Sequence, residues 1–305
     1  MSVVVEPFTL RDATDADLAA WFRLLGQGQT ADLAARSEYL RGEPATARRW
    51  VARADGRIRA AAEVRQQPHD RTIGFLRLHV APTHRRRGIG TRLLAQVLAE
   101  TERVQATVFT GPPGEPFVRG WRVLLRLELH EQCLDRDVIR RCQDLATRSH
   151  PNYQVVSWRN AAPEGHAPSF GRVMAHVLDA PGAALQMPSR SWDTAAVRAW
   201  EASMGPNLLV SALIHLDEVV AATVTTVPDP ATRAADQHDT AVLPAHRGRG
   251  LARWLKARQT LRLHELFPTV ETVTVTVNRE NAPMLAVNRA VGYRFVRGRL
   301  LVEHP

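Results

Sequence analysis

The sequence predicts an α+β protein, an α/β-type mixed sheet with helices, in which one domain is built twice in tandem. Two observations carry this. The chain contains two matching stretches, His84-Arg85-Arg86-Arg87-Gly88-Ile89-Gly90 and His246-Arg247-Gly248-Arg249-Gly250-Leu251-Ala252, whose first arginines are 162 positions apart (247 − 85), about one domain length. Each stretch follows an apolar run ending in Val-x-Pro (Val80 to Pro82, Val242 to Pro244) and opens an amphipathic helical pattern, and the order of elements around both is the same. A boundary at Ser149 to Asn152 gives an N-terminal domain 1–148 and a C-terminal domain 149–305.

In the first half, Val3 to Leu10 is an extended start. Asp15 to Leu18 opens a helix with Leu18, Phe22 and Leu25 on one face. Arg48 to Val64 reads as a hairpin turning at Asp55-Gly56, the residue pair that tolerates positive φ. Ile73 to Ala81 is the strand before the Gly-rich turn, and Gly88 to Glu100 is a helix burying Ile89, Leu93, Leu94, Val97 and Leu98. Ala106 to Thr110 is a strand that runs into Gly111-Pro112-Pro113-Gly114, where a helix is hard to start. Gly120 to Glu128 is the last strand of this half, and Asp135 to Arg148 is a helical connector.

The second half repeats the order. Tyr153 to Trp158 is extended, and Pro168 to Leu178 and Trp192 to Ser203 are helices. Leu208 to Leu216 and Val219 to Val227 form a hairpin about Asp217-Glu218, and Asp236 to Leu243 precedes the second turn. Leu251 to Leu266 is a helix with Leu251, Trp254, Leu255 and Leu261 facing in. The β-branched run Thr269 to Val277 is a strand, Asn281 to Val291 a short helix ended by Gly292, and Tyr293 to Val302 closes the sheet.

With 305 residues and 45% apolar content the chain is long enough for two packed cores. Its +9 charge is nearly all arginine, since Lys256 is the only lysine. The arginines are scattered through both halves, with no aromatic-interleaved basic stripe, which argues against nucleic acid as a partner. No apolar run reaches 18 residues and the N-terminus has no signal-peptide pattern, so a cytoplasmic protein away from membranes is expected. Cys133 and Cys142 have no CxxC partner and read as free buried thiols, and no metal site is expected.

A basic, Gly-rich turn between a strand and a helix is a device for holding phosphates. Glycine lets the backbone approach closely, the helix N-terminal N–H groups point outward, and the dipole favours anions. A dinucleotide fingerprint would need G-x-G-x-x-G at the start of a βαβ unit with an acidic residue about 20 positions on, and neither half supplies it.

Arg85-x-x-Gly88-x-Gly90 and Arg247-x-x-Gly250-x-Ala252 resemble the pyrophosphate signature of the GNAT N-acetyltransferase superfamily, and Asn281-x-x-Met284-x-x-x-Asn288-x-x-x-Gly292-Tyr293 resembles its last helix and following strand. The resemblance covers nearly the whole chain, in the manner of tandem mycothiol synthase-like proteins. It implies two GNAT acyl-CoA N-acyltransferase domains, acetyl-CoA as donor and coenzyme A as product. It places the coenzyme in a V-shaped gap between two parallel strands. The implied cradle is Val80, Ala81, Arg85, Arg86, Arg87, Gly88, Ile89, Gly90 and Thr91 in one half, and Val242, Leu243, Arg247, Gly248, Arg249, Gly250, Leu251 and Ala252 in the other. Backbone N–H groups on the strands before the turns meet the pantetheine arm and the thioester carbonyl. Asn278 and Asn281 reach the same arm; the alternative is that Asn278 ends a strand and Asn281 caps a helix.

The reaction the resemblance implies is attack of a neutral amine on a thioester, with a base removing the proton. In mycothiol synthase-like sequences a carboxylate stands eleven residues before the first motif residue. That position is Asp236 in the second half and Gly74 in the first, which cannot transfer a proton. His238 and Asp239 are further candidates. Alternation puts Asp236 and His238 on one face and Asp239 on the other unless a bulge intervenes. His79 is the main titratable group on the first half's strand and reads as structural. The family's tyrosine acid position holds Asn288, and Tyr293 reads as a core aromatic.

The N-terminal half is therefore expected to bind coenzyme with weak or no catalysis, and the C-terminal half to carry the active site. The expected acceptor is a small-molecule amine: an amino sugar, an amino-acid-like metabolite or an antibiotic. The alternatives are a protein lysine or N-terminal acetyltransferase, and a non-catalytic coenzyme A-binding sensor or scaffold. A monomer or homodimer is expected. Acceptor pockets are expected from Trp21 to Tyr39 and from Ser169 to Met204, where Trp192, Trp200 and Met204 either line a cleft or pack the core.

Overall fold

A computed structural model of the chain describes residues 3–25, 47–67, 70–183, 191–228 and 233–305. The chain divides into two compact units, 1–124 with 300–305, and 125–299.

In the first unit, β1 (Val3–Pro7), β2 (Ala47–Ala54), β3 (Arg57–Gln67) and β4 (Asp70–Val80) pair antiparallel in that order, and β5 (Arg103–Phe109) pairs parallel with β4. The β2–β3 turn is Asp55-Gly56 with φ of 52° and 71°, the backbone a two-residue hairpin loop needs. Helix α1 (Asp15–Leu25) covers one face with Leu18, Trp21 and Leu25, against Val51, Ile58 and Ala61. Trp21 takes the buried place expected of Phe22, which is half-buried. Helix α2 (Ile89–Glu100) covers the other face with Ile89, Leu93, Leu94 and Val97, against Trp50, Ala60, Ala62 and Val64. Both faces of β3 are covered, so its Ala60-Ala61-Ala62 run shows no alternation. After β5 the chain makes only the four-residue helix α3 (Gly114–Phe117).

In the second unit, β6 (Arg122–Cys133, from Leu125 on) and helix α4 (Arg136–Ala146) come first, with Asp135 accepting from the Val138 N–H as N-cap. Then follow β7 (Gln154–Arg159), α5 (Ala167–Ala175), α6 (Thr194–Ser203), β8 (Leu208–His215), β9 (Glu218–Thr226), β10 (Ala234–Val242), α7 (Leu251–Leu266), β11 (Thr272–Asn278) and α8 (Ala282–Ala290). Strands β7 to β10 pair antiparallel in sequence, β11 pairs parallel with β10, and β6 pairs antiparallel with β11 from Leu127 to Cys133. Helices α5 and α6 pack Phe170, Val173, Val197 and Trp200 on Val210, Ala212, Val224 and Ala241. Helix α7 packs on the opposite face.

Two expectations differ from this. The strand expected to close the first half joins the second unit from Leu125 on, where it pairs with β11. The end of β12 (Arg294–Glu303) belongs instead to the first unit beside β5, where the His304 N–H meets the Val104 carbonyl at 2.9 Å. Glu303 anchors it there, accepting from Arg103, Gln105 and Arg122 at 2.6–2.8 Å. The compact units therefore do not coincide with 1–148 and 149–305. Alternation names a strand's buried face but not the sheet it joins. The expectation of free buried thiols is met at Cys142 and corrected at Cys133, which is exposed. No described helix is long and apolar enough to cross a membrane.

Candidate active site

Both Gly-rich turns adopt one backbone. Each begins with a short 3-10 turn, Pro82–His84 or Pro244–His246. Arg85 and Arg247 follow with extended backbones that agree within 2° in φ and ψ (−69°, 163° and −68°, 165°). Each arginine folds back so that Nε donates to the carbonyl five residues earlier, Val80 at 3.0 Å and Val242 at 2.8 Å. Gly88 and Gly250 then start α2 and α7 in the left-handed region, at φ 75° and 77°, and neither helix has a side-chain cap. Among the described residues, no acceptor takes the N–H groups of residues 86–91 or 248–253. A left-handed N-cap with no side chain leaves these donors for an external anion.

At one left-handed position the copies differ in residue. Arg86 holds φ 60° where Gly248 holds 75°, so the first loop keeps the left-handed geometry without glycine. In the second loop Arg247 is also paired with Asp179, at 2.5 Å, on the turn His176–Asp179. Hydrogen bonds from Arg247 and His176 hold the Asp179 carboxyl below its ordinary pKa.

Beside each loop the parallel strands part. Strands β4 and β5 are paired only from Ile73 to Leu76, and β10 and β11 only from Ala234 to Asp236. Beyond those rungs β10 offers its edge backbone to the gap. Val242 lies opposite Ala221, while the next residue, Leu243, donates its N–H to the Val220 carbonyl and accepts from the His246 N–H. So Val242, not Leu243, turns its N–H to the gap. Of the expected Val242-Leu243 backbone, the Leu243 N–H is taken by β9.

Asp236 stands on the last paired rung, at the apex of the gap, accepting from the Thr274 hydroxyl at 2.7 Å. A β-bulge lies between Gln237 and Thr240. Gln237 turns inward to bond Thr223 and the Val224 carbonyl, and Thr240 bonds the Thr223 hydroxyl at 2.8 Å. The extra residue brings His238 and Asp239 onto the face of Asp236 and Ala241, over which α5 and α6 pack. His238 Nε2 meets the Thr226 hydroxyl at 2.7 Å. Its surroundings desolvate the ring and hold its pKa below the ordinary imidazole value, against the pull of Asp239 and Asp236.

Among its described residues the first unit has no such trio on β4. A Cβ on Gly74 would lie 2.6 Å from Thr101 Cγ2 and Val64 Cγ1, so the fold admits no side chain there. Because of the β10 bulge, the rung matching Asp236 is that of Phe75, opposite Arg65. Where β10 bulges opposite Val224, β4 places Arg77 opposite Glu63. Sequence reasoning missed Glu63. It is fully buried, accepting from Arg49 at 2.9 Å and Arg65 at 2.8 Å, with Arg77 3.7 Å away. Burial acts to raise its pKa, but the bonds and charges of Arg65 and Arg49 outweigh it and hold the carboxyl ionised. Alternating arginines on neighbouring strands were the signal available. Phe117, on the four-residue remnant helix, lies against Gly90, 3.1 Å from where a Cβ would be.

Asn278 spends its side chain inside the protein, donating to the Pro181 carbonyl at 2.7 Å and accepting from the Glu280 N–H at 2.9 Å. Asn281 caps α8 by accepting from the Met284 N–H at 3.2 Å. The structure thus places both asparagines in the roles set out as the alternative. Trp200 is core, and Trp192 and Met204 pack against it. Residues 26–39 and 184–190 of the expected acceptor stretches lie outside the described residues.

Residues 13–113 match the profile of the acetyltransferase (GNAT) family. A search of curated proteins gives no match. Among solved structures, a tandem GNAT protein from the clavulanic acid biosynthesis pathway aligns over 100% of this chain and 98% of its own, at 22% identity and TM-score 0.76. A GCN5-related N-acetyltransferase from Sphaerobacter thermophilus aligns over 99% and 96%, at 16% identity and TM-score 0.65. A GCN5-related glucosamine N-acetyltransferase region of a fungal multi-domain β-N-acetylglucosaminidase aligns over 99% of this chain and 38% of its own, at 17% and 0.63. Residues 13–113 thus resemble the GNAT family, and over its whole length the chain shares the fold of a tandem GNAT protein.

Proposed function

We propose that the chain is an acetyl-CoA-dependent N-acetyltransferase of a small-molecule amine, with the active site in the second unit. The observation that carries this is a carboxylate and an imidazole at the apex of a strand gap, beside a loop of unsatisfied N–H groups. Bound acetyl-CoA supplies the activated acyl group. The chain supplies position and proton transfer: the N–H groups of residues 248–252 hold the diphosphate, and the Val242 N–H faces the gap where an oxyanion needs a donor. His238, neutral at pH 7, and Asp236 with Asp239 receive the proton of the attacking amine.

For the first unit we propose coenzyme binding without turnover. Its loop has the same geometry, but its carboxylate is locked to arginines and is too stable as an anion to serve as a base near neutrality. Two similarly folded proteins support a small-molecule acceptor: one comes from the clavulanic acid pathway and one is described as a glucosamine N-acetyltransferase. The chain is proposed to act as a monomer or homodimer, without nucleic acid.

Calorimetric titration of acetyl-CoA tests this in wild type, Arg85→Glu/Arg87→Glu and Arg247→Glu/Arg249→Glu. Two sites, one lost in each variant, are expected. Asp236→Ala should then keep binding while an amine acceptor screen loses about 10²- to 10⁴-fold in turnover. A sensor would be indifferent to Asp236, and absence of coenzyme binding would reject the proposal.

A further inference from the structure

Beside the second loop, within the second unit, lies a cavity of about 140 Å³ walled partly by residues outside the coenzyme-binding motif. Its lining includes Arg148, His150, Arg249, Arg253 and Trp254. The loop supplies Arg249 and Gly250; the segment after α4 supplies Arg148 and His150. The Arg253 guanidinium folds back over the helix start, 3.7 Å from where a Cβ on Gly250 would stand. His150 lies against the Trp254 ring with centroids 4.6 Å apart, and Trp254 is fixed by its indole N–H to the Ala146 carbonyl at 3.2 Å.

None of Arg148, Arg249 and Arg253 has a carboxylate partner among the described residues; Arg249 bonds only the Tyr153 hydroxyl and the Ala245 carbonyl. Burial, then the charges of Arg148 and Arg253, keep the His150 pKa below its ordinary value. Three guanidinium groups around a concave space, next to a helix N-terminus, match a doubly charged oxyanion with several acceptor oxygens.

We infer that this cavity is a phosphomonoester site and that it receives the 3′-phosphate of the coenzyme. The inference rests on the acyl-coenzyme function proposed above. In coenzyme A the 3′-phosphate is one ribose away from the diphosphate, so both phosphates must be met around one helix start. The cavity shares Arg249 and Gly250 with the diphosphate cradle and extends from them towards Arg148. The first loop lacks the device: three residues after its left-handed glycine stands Thr91, where the second loop has Arg253.

The test compares coenzyme A with 3′-dephospho-coenzyme A by calorimetry, in the full chain carrying Arg85→Glu/Arg87→Glu so that only the second site reports. The site is expected to prefer coenzyme A by about 10- to 100-fold. Arg148→Gln/Arg253→Gln should erase that preference while leaving dephospho-coenzyme affinity unchanged. Arg253→Thr alone, which carries the first loop's residue, should erase part of it and guards against misfolding of the double variant. Equal affinity for the two coenzymes in the parent, or a preference that survives in both variants, overturns the inference. Saturable binding of inorganic phosphate without coenzyme discrimination assigns the pocket to a free anion and likewise overturns it. If neither coenzyme binds, the acyltransferase proposal itself falls.

Discussion

The chain's only lysine is a charge placed where charge is costly. Lys256 lies on α7, 2% exposed, with Nζ donating to Asn288 Oδ1 at 2.6 Å and standing 5.0 Å over the Tyr293 ring. Burial lowers its pKa from 10.5 to about 7. Below pH 7 the ammonium is charged in both folded and unfolded chains, and the whole desolvation cost is present, at most about 5 kcal/mol. Between pH 7 and about 10 the unfolded chain keeps a proton that the folded chain has released. Stability therefore rises with pH, by up to about 1.4 kcal/mol per pH unit. Burial also pushes the neighbouring Cys142 thiol up to about 11, from an ordinary 9, which opposes the rise above pH 9. The clean window is pH 6.5 to 8.5, where wild type should gain about 2 kcal/mol. Lys256→Met/Asn288→Leu removes the ammonium without orphaning Asn288. Urea denaturation should find the variant more stable than wild type at pH 6.5, by a margin that shrinks by about 2 kcal/mol at pH 8.5. Parallel pH dependences in the two proteins would refute the argument, whatever the offset between them.

Other perturbations separate the remaining claims. His238 must be neutral to accept a proton, so kcat/KM should fall as pH falls through a pKa below 6.5, and His238→Gln should abolish that limb; a profile identical to wild type rules His238 out as the base. Glu63→Gln leaves three arginines facing a neutral buried group and should destabilise the chain by about 3–5 kcal/mol, read as a shift of the urea midpoint, with acetyl transfer by the folded fraction unchanged. Gly248→Ala meets nothing within 4 Å, so its cost is conformational only, about 1 kcal/mol in denaturant titration; a cost near zero would mean φ 75° is not held in solution.

How much of this the sequence disclosed depends on how local each feature is. The loops were legible because strand end, proline, arginine and left-handed glycine lie within a dozen residues, and each is required by backbone geometry. Asp236 was legible through its spacing to Arg247, but its rung was not. A bulge adds a residue without a residue-type signature, and it moved the match in the first unit from Gly74 to Phe75. The exchange of closing strands was hidden because Leu125 and Leu127 suit either sheet, and pairing across 139 (272 − 133) to 151 (278 − 127) positions leaves no periodic trace. Glu63 and Lys256 were hidden for a related reason. A buried charge is recognisable only by its partners, and Arg49, Arg77 and Asn288 come from other elements. Arg86 shows what survives when one local signal is missing. It holds φ 60° without glycine, yet the loop around it matches its twin, because Arg85 Nε is tied to the Val80 carbonyl and Gly88 still starts the helix. The fold, with these two anchors, imposes the left-handed turn at a cost of about 1–2 kcal/mol.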